Sequence, residues 1–175
     1  MPIAKSLFVS FLLTTSFSLI SASETHFESD WRFDLATGSK KIILRVVLDN
    51  PSKHLPGHDK EIPEWLYQNI GKKGTWYDDP NIGKGFSPDY ASSAFLKNHK
   101  RFIKALGKRY NNDPRIAFVQ IGSLGHWAEW HTWPEGTGVF PGYVKAAKYI
   151  QHYIDAFPNK KLVVRRPLQL HSSHP

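Results

Sequence analysis

The sequence contains no cysteine, and it lacks the short motifs of several enzyme classes. Without cysteine the fold cannot depend on disulfides, and a cysteine nucleophile is excluded. The serine nucleophile motif G-x-S-x-G is absent, and the glycines of "NIGKGF" do not form the phosphate-binding pattern G-x-x-x-x-G-K-[ST]. These absences argue against a Ser or Cys nucleophile and against phosphate chemistry.

Apolar and aromatic residues, by contrast, are plentiful. The chain has 175 residues, of which 41% are hydrophobic and 14% aromatic, with six Trp. This composition is typical of one globular domain and not of a disordered chain. The aromatic content suits either a large core or a surface that stacks on flat ligands.

Residues 1–23 are predicted to be a secretory signal peptide. Lys5 supplies the positive charge, "LFVSFLLTTSFSLI" the apolar run and "SAS" the small residues before cleavage. The run is short and rich in Ser and Thr for a transmembrane helix, although an uncleaved anchor is the alternative. We therefore expect a secreted, extracellular domain over residues 24–175, with no membrane partner after cleavage.

The formal net charge is +8, which raises the question of nucleic acid as a partner. Six basic side chains lie in one predicted helix: Lys97, Lys100, Arg101, Lys104, Lys108 and Arg109. At about 100° per residue, the lysines and Arg101 lie opposite the apolar Phe95, Phe102 and Leu106. A solvated helix face explains this pattern, so no nucleic-acid partner is predicted; a polyanion site is the alternative.

Three apolar, β-branched runs predict strands at residues 41–49, 115–121 and 162–166. Between them, helices are predicted at 64–70, 89–110 and 142–157, and residues 71–88 are predicted as a loop rich in Gly, Asp and Pro. The core stripe of the last helix is predicted at Val144, Ala147, Ile154 and Phe157. This order predicts an α/β fold with parallel strands.

The loops differ strongly in length. Those that lead from helix to strand have about four residues, whereas those that leave the strands reach about twenty. In (β/α)8 barrels the loops after the strands form the functional face. We therefore place the candidate site in the loops that follow the strands.

The loop after the second predicted strand, "IGSLGHWAEWHT", is unusual. Glu129 lies between Trp127 and Trp130; apolar walls favour the neutral carboxyl group of a general acid, and Trp rings stack on sugars. His126 and His131 are expected to orient Glu129 or to donate to sugar hydroxyls. In the structural alternative, the aromatic residues close the barrel end and Glu129 pairs with Arg45 or Arg165.

The first strand ends in Asp49 and Asn50, which are placed to meet a polar ligand, and Trp65 is expected at the mouth of the site. A metal is not predicted, because His126, Glu129 and His131 give H-x-x-E-x-H, which matches neither common zinc motif. No cofactor is predicted either.

Two segments carry a resemblance to a known family: "ALGKRYNNDPRIAFVQIGSLGHWAEWHT" and, upstream, "IPEWL". They resemble a family of secreted, glycosidase-like barrels of unknown function, distantly similar to retaining β-galactosidase-type (β/α)8 enzymes. The resemblance covers residues 40–167 and implies a partial (β/α)8 TIM barrel, made of the third to fifth strands with part of the second unit. Where those enzymes carry Asn-Glu at the strand end, this chain has Gly122 and Ser123, and Glu129 follows later.

By the resemblance, the nucleophile would lie on a seventh strand that this chain does not supply, and a full barrel has about 250 residues. We therefore expect a glycoside-hydrolase-like protein that acts on or binds carbohydrate and is inactive as a single short chain; the alternative is a non-catalytic carbohydrate-binding protein. The predicted catalytic residue is Glu129, and the predicted ligand-binding residues are Trp127, Trp130, His131, His126, Asp49, Asn50, Arg45 and Trp65.

Overall fold

A computed structural model describes residues 41–51 and 60–165 of the chain. The predicted signal peptide, the first part of the predicted domain and Arg166 lie outside the described residues. Within them the chain forms five strands and three α-helices: β1 (Ile42–Arg45), α1 (Glu64–Asn69), β2 (Gly74–Asp79), β3 (Gly83–Pro88), α2 (Ser93–Tyr110), β4 (Ile116–Gln120), α3 (Tyr143–Ala156) and β5 (Lys161–Val163).

Three of the strands form a parallel sheet in the order β1-β4-β5. The central strand β4 pairs Val119 with Leu44 on one side and with Leu162 on the other. This confirms the three predicted parallel strands and the mixed α/β fold. These three strands form an open sheet, and the described strands do not close into a barrel.

The α-helices α2 and α3 cover one face of this sheet. Alternate strand residues point to opposite faces, and Leu44, Val119 and Ile121 belong to the same core cluster as the helix residues Phe95, Ile103, Leu106, Ala146, Tyr149 and Tyr153. On the opposite face, Ile43 and Phe118 are half-buried and lie outside this cluster. The sheet therefore has a helix-covered face and a more open face.

The long helix α2 confirms most of its predicted pattern. It begins at Ser93 and not at residue 89, because the Asp89 side chain accepts a hydrogen bond from the backbone of Ala91 in the preceding turn and Ser92 caps the helix. Phe95 and Leu106 are buried and Phe102 is half-buried. The five basic side chains of the predicted solvated face are all exposed: Lys97, Lys100, Arg101, Lys104 and Lys108. Arg109, the sixth basic side chain of the helix, is exposed as well.

The predicted core stripe of α3 is wrong. Val144 is 78% exposed and Ile154 47% exposed, whereas Ala146, Tyr149 and Tyr153 are buried. The buried stripe contains larger side chains than the predicted one, and its tyrosine hydroxyls can form hydrogen bonds in the core. Tyr149, for example, donates to the Tyr90 carbonyl at 2.8 Å. Of the predicted stripe only Phe157, at the end of the helix, is buried.

The loop predicted at residues 71–88 is instead largely a β-hairpin of β2 and β3. Its turn is held by Asp79, whose carboxylate accepts hydrogen bonds from the backbone of Asn81 and Ile82. Glycine is required at position 85, because a methyl group there would collide with the Tyr77 hydroxyl of the facing strand. None of the helices in the described part of the chain is long and apolar enough to span a membrane.

Candidate functional site

The loop that follows β4, residues 121–131, folds back on itself. The Trp130 indole donates to the Ile121 carbonyl at 3.1 Å, and the Trp130 backbone donates to Leu124 at 3.0 Å. The amide of His126 donates to the His131 carbonyl at 2.9 Å, which closes the loop. A second set of backbone bonds, from Ser123 to Val46 and from Trp127 to Asp49, ties it to the end of β1.

This loop concentrates an uncommon backbone conformation. Four of its non-glycine residues have positive φ: Ser123 at 72°, Trp127 at 52°, Ala128 at 57° and Trp130 at 64°. Each such residue costs about 1 kcal/mol or more and persists only where its surroundings hold it. Strain of this kind clusters at functional sites, so the loop is the leading candidate region of the described structure.

Asp49 and His126 meet at the centre of the region, although 77 positions separate them in the sequence. Both side chains are fully buried, and His126 Nδ1 lies 2.8 Å from Asp49 Oδ2. The other oxygen of Asp49 accepts a hydrogen bond from Tyr77 at 2.6 Å. Burial, Asp49 and that hydrogen bond together raise the pKa of the Tyr77 hydroxyl, which therefore stays a donor.

On the other side of the ring, His126 Nε2 lies 2.7 Å from Thr137 Oγ1. The order carboxylate, imidazole, hydroxyl is that of a catalytic triad. However, Thr137 is only 4% exposed, and its hydroxyl also contacts the carbonyl oxygens of Thr132 and Pro134. The chain of contacts therefore holds the loop in place and presents no nucleophile to a ligand.

Glu129 lies between an arginine and a histidine. Its side chain is 8% exposed, and its carboxylate is 2.7 Å from Arg165 Nη1, which follows β5. His131 Nε2 lies 3.8 Å from the second carboxylate oxygen and adds an ion pair when it is protonated. The pairing of Glu129 with an arginine, which the structural alternative predicted, is therefore present.

Arg45 contributes a second guanidinium to the same region. It is buried on the open face of the sheet, beside Gln120 of β4 in the register. Burial lowers the pKa of Arg45, and the charge of Arg165 lowers it further, while Glu129 opposes both effects. Two cations thus lie within electrostatic reach of one carboxylate.

The tryptophans predicted to bind ligand are separated by the fold. Trp130 is buried and packs against Phe140, with ring centroids 6.0 Å apart, so its ring is part of the core. Trp127 is half-buried, and its ring lies 6.1 Å from that of His131. Trp65 lies on α1 and is 41% exposed. Asn50, next to the buried Asp49, is half-buried.

A second buried polar network was missed by the sequence analysis. His99 Nε2 lies 2.8 Å from Ser123 Oγ, and Ser123 Oγ lies 2.7 Å from the Tyr153 hydroxyl. On its other side, His99 Nδ1 lies 2.8 Å from His152 Nδ1. Burial, and then the neighbouring histidine, lower the pKa of His99 well below its usual range. The available signal was a polar residue at position 99, four residues after Phe95 on the apolar stripe.

A consistent assignment of donors and acceptors satisfies every contact of this network. In it, Tyr153 donates its proton to Ser123. Ser123 then donates to His99 Nε2, and His99 donates through Nδ1 to His152. Every bridging proton has an acceptor, which is the condition for a stabilising buried network.

No known protein family matches the chain, and no curated protein matches it. In residues 41–51 and 60–165, no group of three His, Asp or Glu side chains is arranged to hold a metal ion. The geometry of the site therefore carries the functional interpretation.

Proposed function

We propose that this chain is a consecutive section of a glycoside-hydrolase-like (β/α)8 barrel and that it binds carbohydrate at the carboxyl ends of its parallel strands. The ligand-facing groups are Glu129, Arg165, His131 and Trp127. As the chain carries a predicted signal peptide, the protein acts outside the cell in this proposal.

The sheet supports the barrel part of the proposal. Strands that follow one another along the chain through a helix are neighbours in the sheet, as in a barrel. Among the described residues, helices cover one face of the sheet, and the other face carries half-buried side chains such as Phe118 and Val163. In a (β/α)8 barrel that face lines the interior. Asp49, the 121–131 loop and Arg165 all follow the carboxyl ends of strands, where barrels place their sites.

The chemistry of Glu129 supports carbohydrate as the ligand. Its carboxylate is nearly buried yet keeps 8% side-chain exposure beside the 43% exposed Arg165. Sugar hydroxyls both donate and accept, and a carboxylate with a guanidinium offers both functions at one point. The half-buried Trp127 supplies an apolar surface for a sugar ring. The carboxylate of Glu129 at the strand ends is the observation that carries the proposal.

Binding is favoured over hydrolysis for this chain. Retaining hydrolysis needs two carboxylates about 5 Å apart at the scissile bond. The other carboxylate at the described strand ends, Asp49, is fully buried and holds Tyr77 and His126. Glu129 would act as the acid/base only where another part of a barrel supplies a nucleophile.

The test is a titration of the chain with neutral galacto-, xylo- and cello-oligosaccharides. Trp127→Ala should weaken binding by about 10-fold or more, on the scale of 1–3 kcal/mol for a buried apolar side chain. Glu129→Gln keeps the side-chain shape and should weaken binding to a similar extent. Trp76→Ala is the matched control, because Trp76 lies on the hairpin and not among the proposed ligand-facing groups. Its ring is 52% exposed, and its indole N–H donates to the Tyr67 hydroxyl.

A binding isotherm that is the same for Glu129→Gln and the unchanged chain would contradict the proposal, especially if the melting temperature fell. That pattern would assign Glu129 a structural role through Arg165. Trp130 is a core residue, so its substitution tests stability and not binding.

A further inference from the structure

The open face of the sheet carries a cluster of hydrogen-bond donors at its carboxyl end, consisting of Arg45, Gln120 and Arg165. The register pairs Arg45 with Gln120 and Gln120 with Val163. Arg165 lies two residues beyond the end of β5, and its charge and that of Glu129 are both within electrostatic reach of Arg45. Glu129 from the 121–131 loop reaches this cluster through its ion pair with Arg165.

Donors dominate this cluster. Each guanidinium offers five N–H groups and accepts none, and the Gln120 amide adds two more donors. The Nε2 atom of Gln120 is buried and has no hydrogen-bond partner within the described residues. A buried donor without an acceptor costs about 1–3 kcal/mol, which an incoming acceptor would recover. This atom therefore points to a ligand with oxygen acceptors.

The charges of the cluster favour an anionic ligand. Burial lowers the pKa of Arg45, and the nearby charge of Arg165 lowers it further, while Glu129 opposes both effects. Lys161 lies two residues before Val163 on the same face of β5, where it pairs with Phe118, and it is exposed. An anion between the two guanidinium groups would relieve their repulsion, and a carboxylate matches their planar fork.

We propose that Arg45, Gln120 and Arg165 bind the carboxylate of an acidic sugar, a uronic acid residue, while Glu129 accepts a hydrogen bond from a hydroxyl of the same sugar. This inference rests on the proposed carbohydrate-binding function and adds the charge class of the ligand. A uronate carries in one ring a carboxylate, which accepts hydrogen bonds from the N–H groups of the cluster, and hydroxyls, which donate to Glu129. The site is thus specific for acidic over neutral carbohydrate.

The experiment compares trigalacturonate with its methyl ester and with galactotriose by calorimetric titration of the full chain. The ester keeps the shape of the acid and removes its charge. We expect the acid to bind at least 10-fold more tightly than the ester, and raising the salt concentration to reduce that preference. Inorganic sulfate serves as a separate competitor. Sulfate that binds as tightly as trigalacturonate would show a simple anion site and overturn the sugar assignment.

Gln120→Glu is the decisive variant, because it keeps the length of the side chain and replaces the unpartnered donor with a negative charge. It should abolish the preference of at least 10-fold for the acid over the ester, measured as the ratio of the two affinities in the same variant. Lys104→Met removes one positive charge from the exposed face of α2 and should leave the preference unchanged.

The outcomes separate this inference from the proposed function. Equal affinity for the acid and the ester, or a preference that survives Gln120→Glu, overturns the acidic-sugar assignment while carbohydrate binding stands. Failure of a folded, cooperatively melting chain to bind any of the three sugars overturns both. A loss of preference in Lys104→Met as well would assign the effect to net charge and contradict a defined site.

Discussion

The two faces of the parallel sheet each carry polar side chains at their carboxyl end, but they use them differently. On the helix-covered face, Ser123, His99, His152 and Tyr153 form a network in which each bridging proton has an acceptor. On the open face, the Gln120 amide keeps a buried donor without a partner in the described chain, and Arg165 remains 43% exposed. Satisfied polar groups stabilise the fold, whereas an unsatisfied donor beside exposed charge is typical of a binding site.

The largest expected effect is on the helix-covered face. His99→Leu should lower the free energy of unfolding by about 2–4 kcal/mol, because it leaves Ser123 and His152 without their buried partner. Urea denaturation measures this change. Lys97→Ala on the exposed side of the same helix is the control and should change stability by less than about 0.5 kcal/mol. A change for His99→Leu as small as the control would contradict a stabilising role for the network.

The second-largest effect should be a loss of folding stability on acidification, caused by the two histidines of the helix-covered face. Burial and neighbouring charges lower the pKa of His99 and of His152 in the folded chain. Lys100 and Lys148 contribute to the shift at His152, and Asp155 opposes it. A histidine with a lowered folded pKa gives no pH dependence above its unfolded value of about 6.5. Below that pH the unfolded state binds more protons, so stability falls.

Melting temperatures between pH 7.5 and pH 5 test this expectation. The loss of stability on acidification should be smaller in the double variant His99→Gln with His152→Gln, which does not titrate at these positions. An identical pH profile in the variant would show that the two histidines are not the source of the dependence.

A substitution on the open face should change the free energy of unfolding much less. Glu129→Gln breaks the ion pair with Arg165, which is partly screened because Arg165 is 43% exposed. We expect a fall of less than about 1 kcal/mol in the free energy of unfolding. A fall as large as that of His99→Leu would remove the distinction between the two faces and would favour a structural role for Glu129.

The smallest effect should lie at the opposite edge of the sheet, where β4 begins. Arg115 holds the Asp113 carboxylate, with Nη2 at 2.6 Å, and this hydrogen bonding lowers the pKa of Asp113 to about 2. Arg115 is more than half exposed, so Asp113→Asn should cost under about 1 kcal/mol, and 1 M salt should reduce the difference further. Thermal melts at two salt concentrations measure it, and a large salt-independent loss would be the contrary result.

The sequence predicted the elements whose signal is local. The three strands are continuous apolar runs, and α2 has a clear apolar stripe, so both were found. The α3 stripe was misassigned because Val144 and Ile154 are more hydrophobic than Tyr149 and Tyr153. In the fold the two tyrosine rings are buried instead, and their hydroxyl groups form hydrogen bonds with Tyr90 and Ser123. The hairpin was missed because its Gly, Asp and Pro content is also typical of loops.

The sequence indicated the residues of the candidate site better than it indicated the contacts between them. Asp49, His126, Glu129 and the arginines were all named, but the pairing of Asp49 with His126 across 77 positions has no local signal. The same holds for Tyr77, which reaches Asp49 across 28 positions, and for Ser123, which meets His99 across 24. Trp130 looked like a ligand contact because sequence spacing does not show which side of a loop faces the core.

The 121–131 loop begins and ends at nearly the same place, since the Trp130 indole is bonded to the Ile121 carbonyl. A segment of this kind has the outline of an insertion, but its side chains reach both neighbouring layers. Ser123 bonds to His99 of α2, and His126 bonds to Asp49 after β1. Replacing residues 122–129 with a short glycine-containing connector would leave His99 and Asp49 without these buried partners and would lower the free energy of unfolding. The loop that carries Glu129 and Trp127 is therefore inseparable from the folding of the domain.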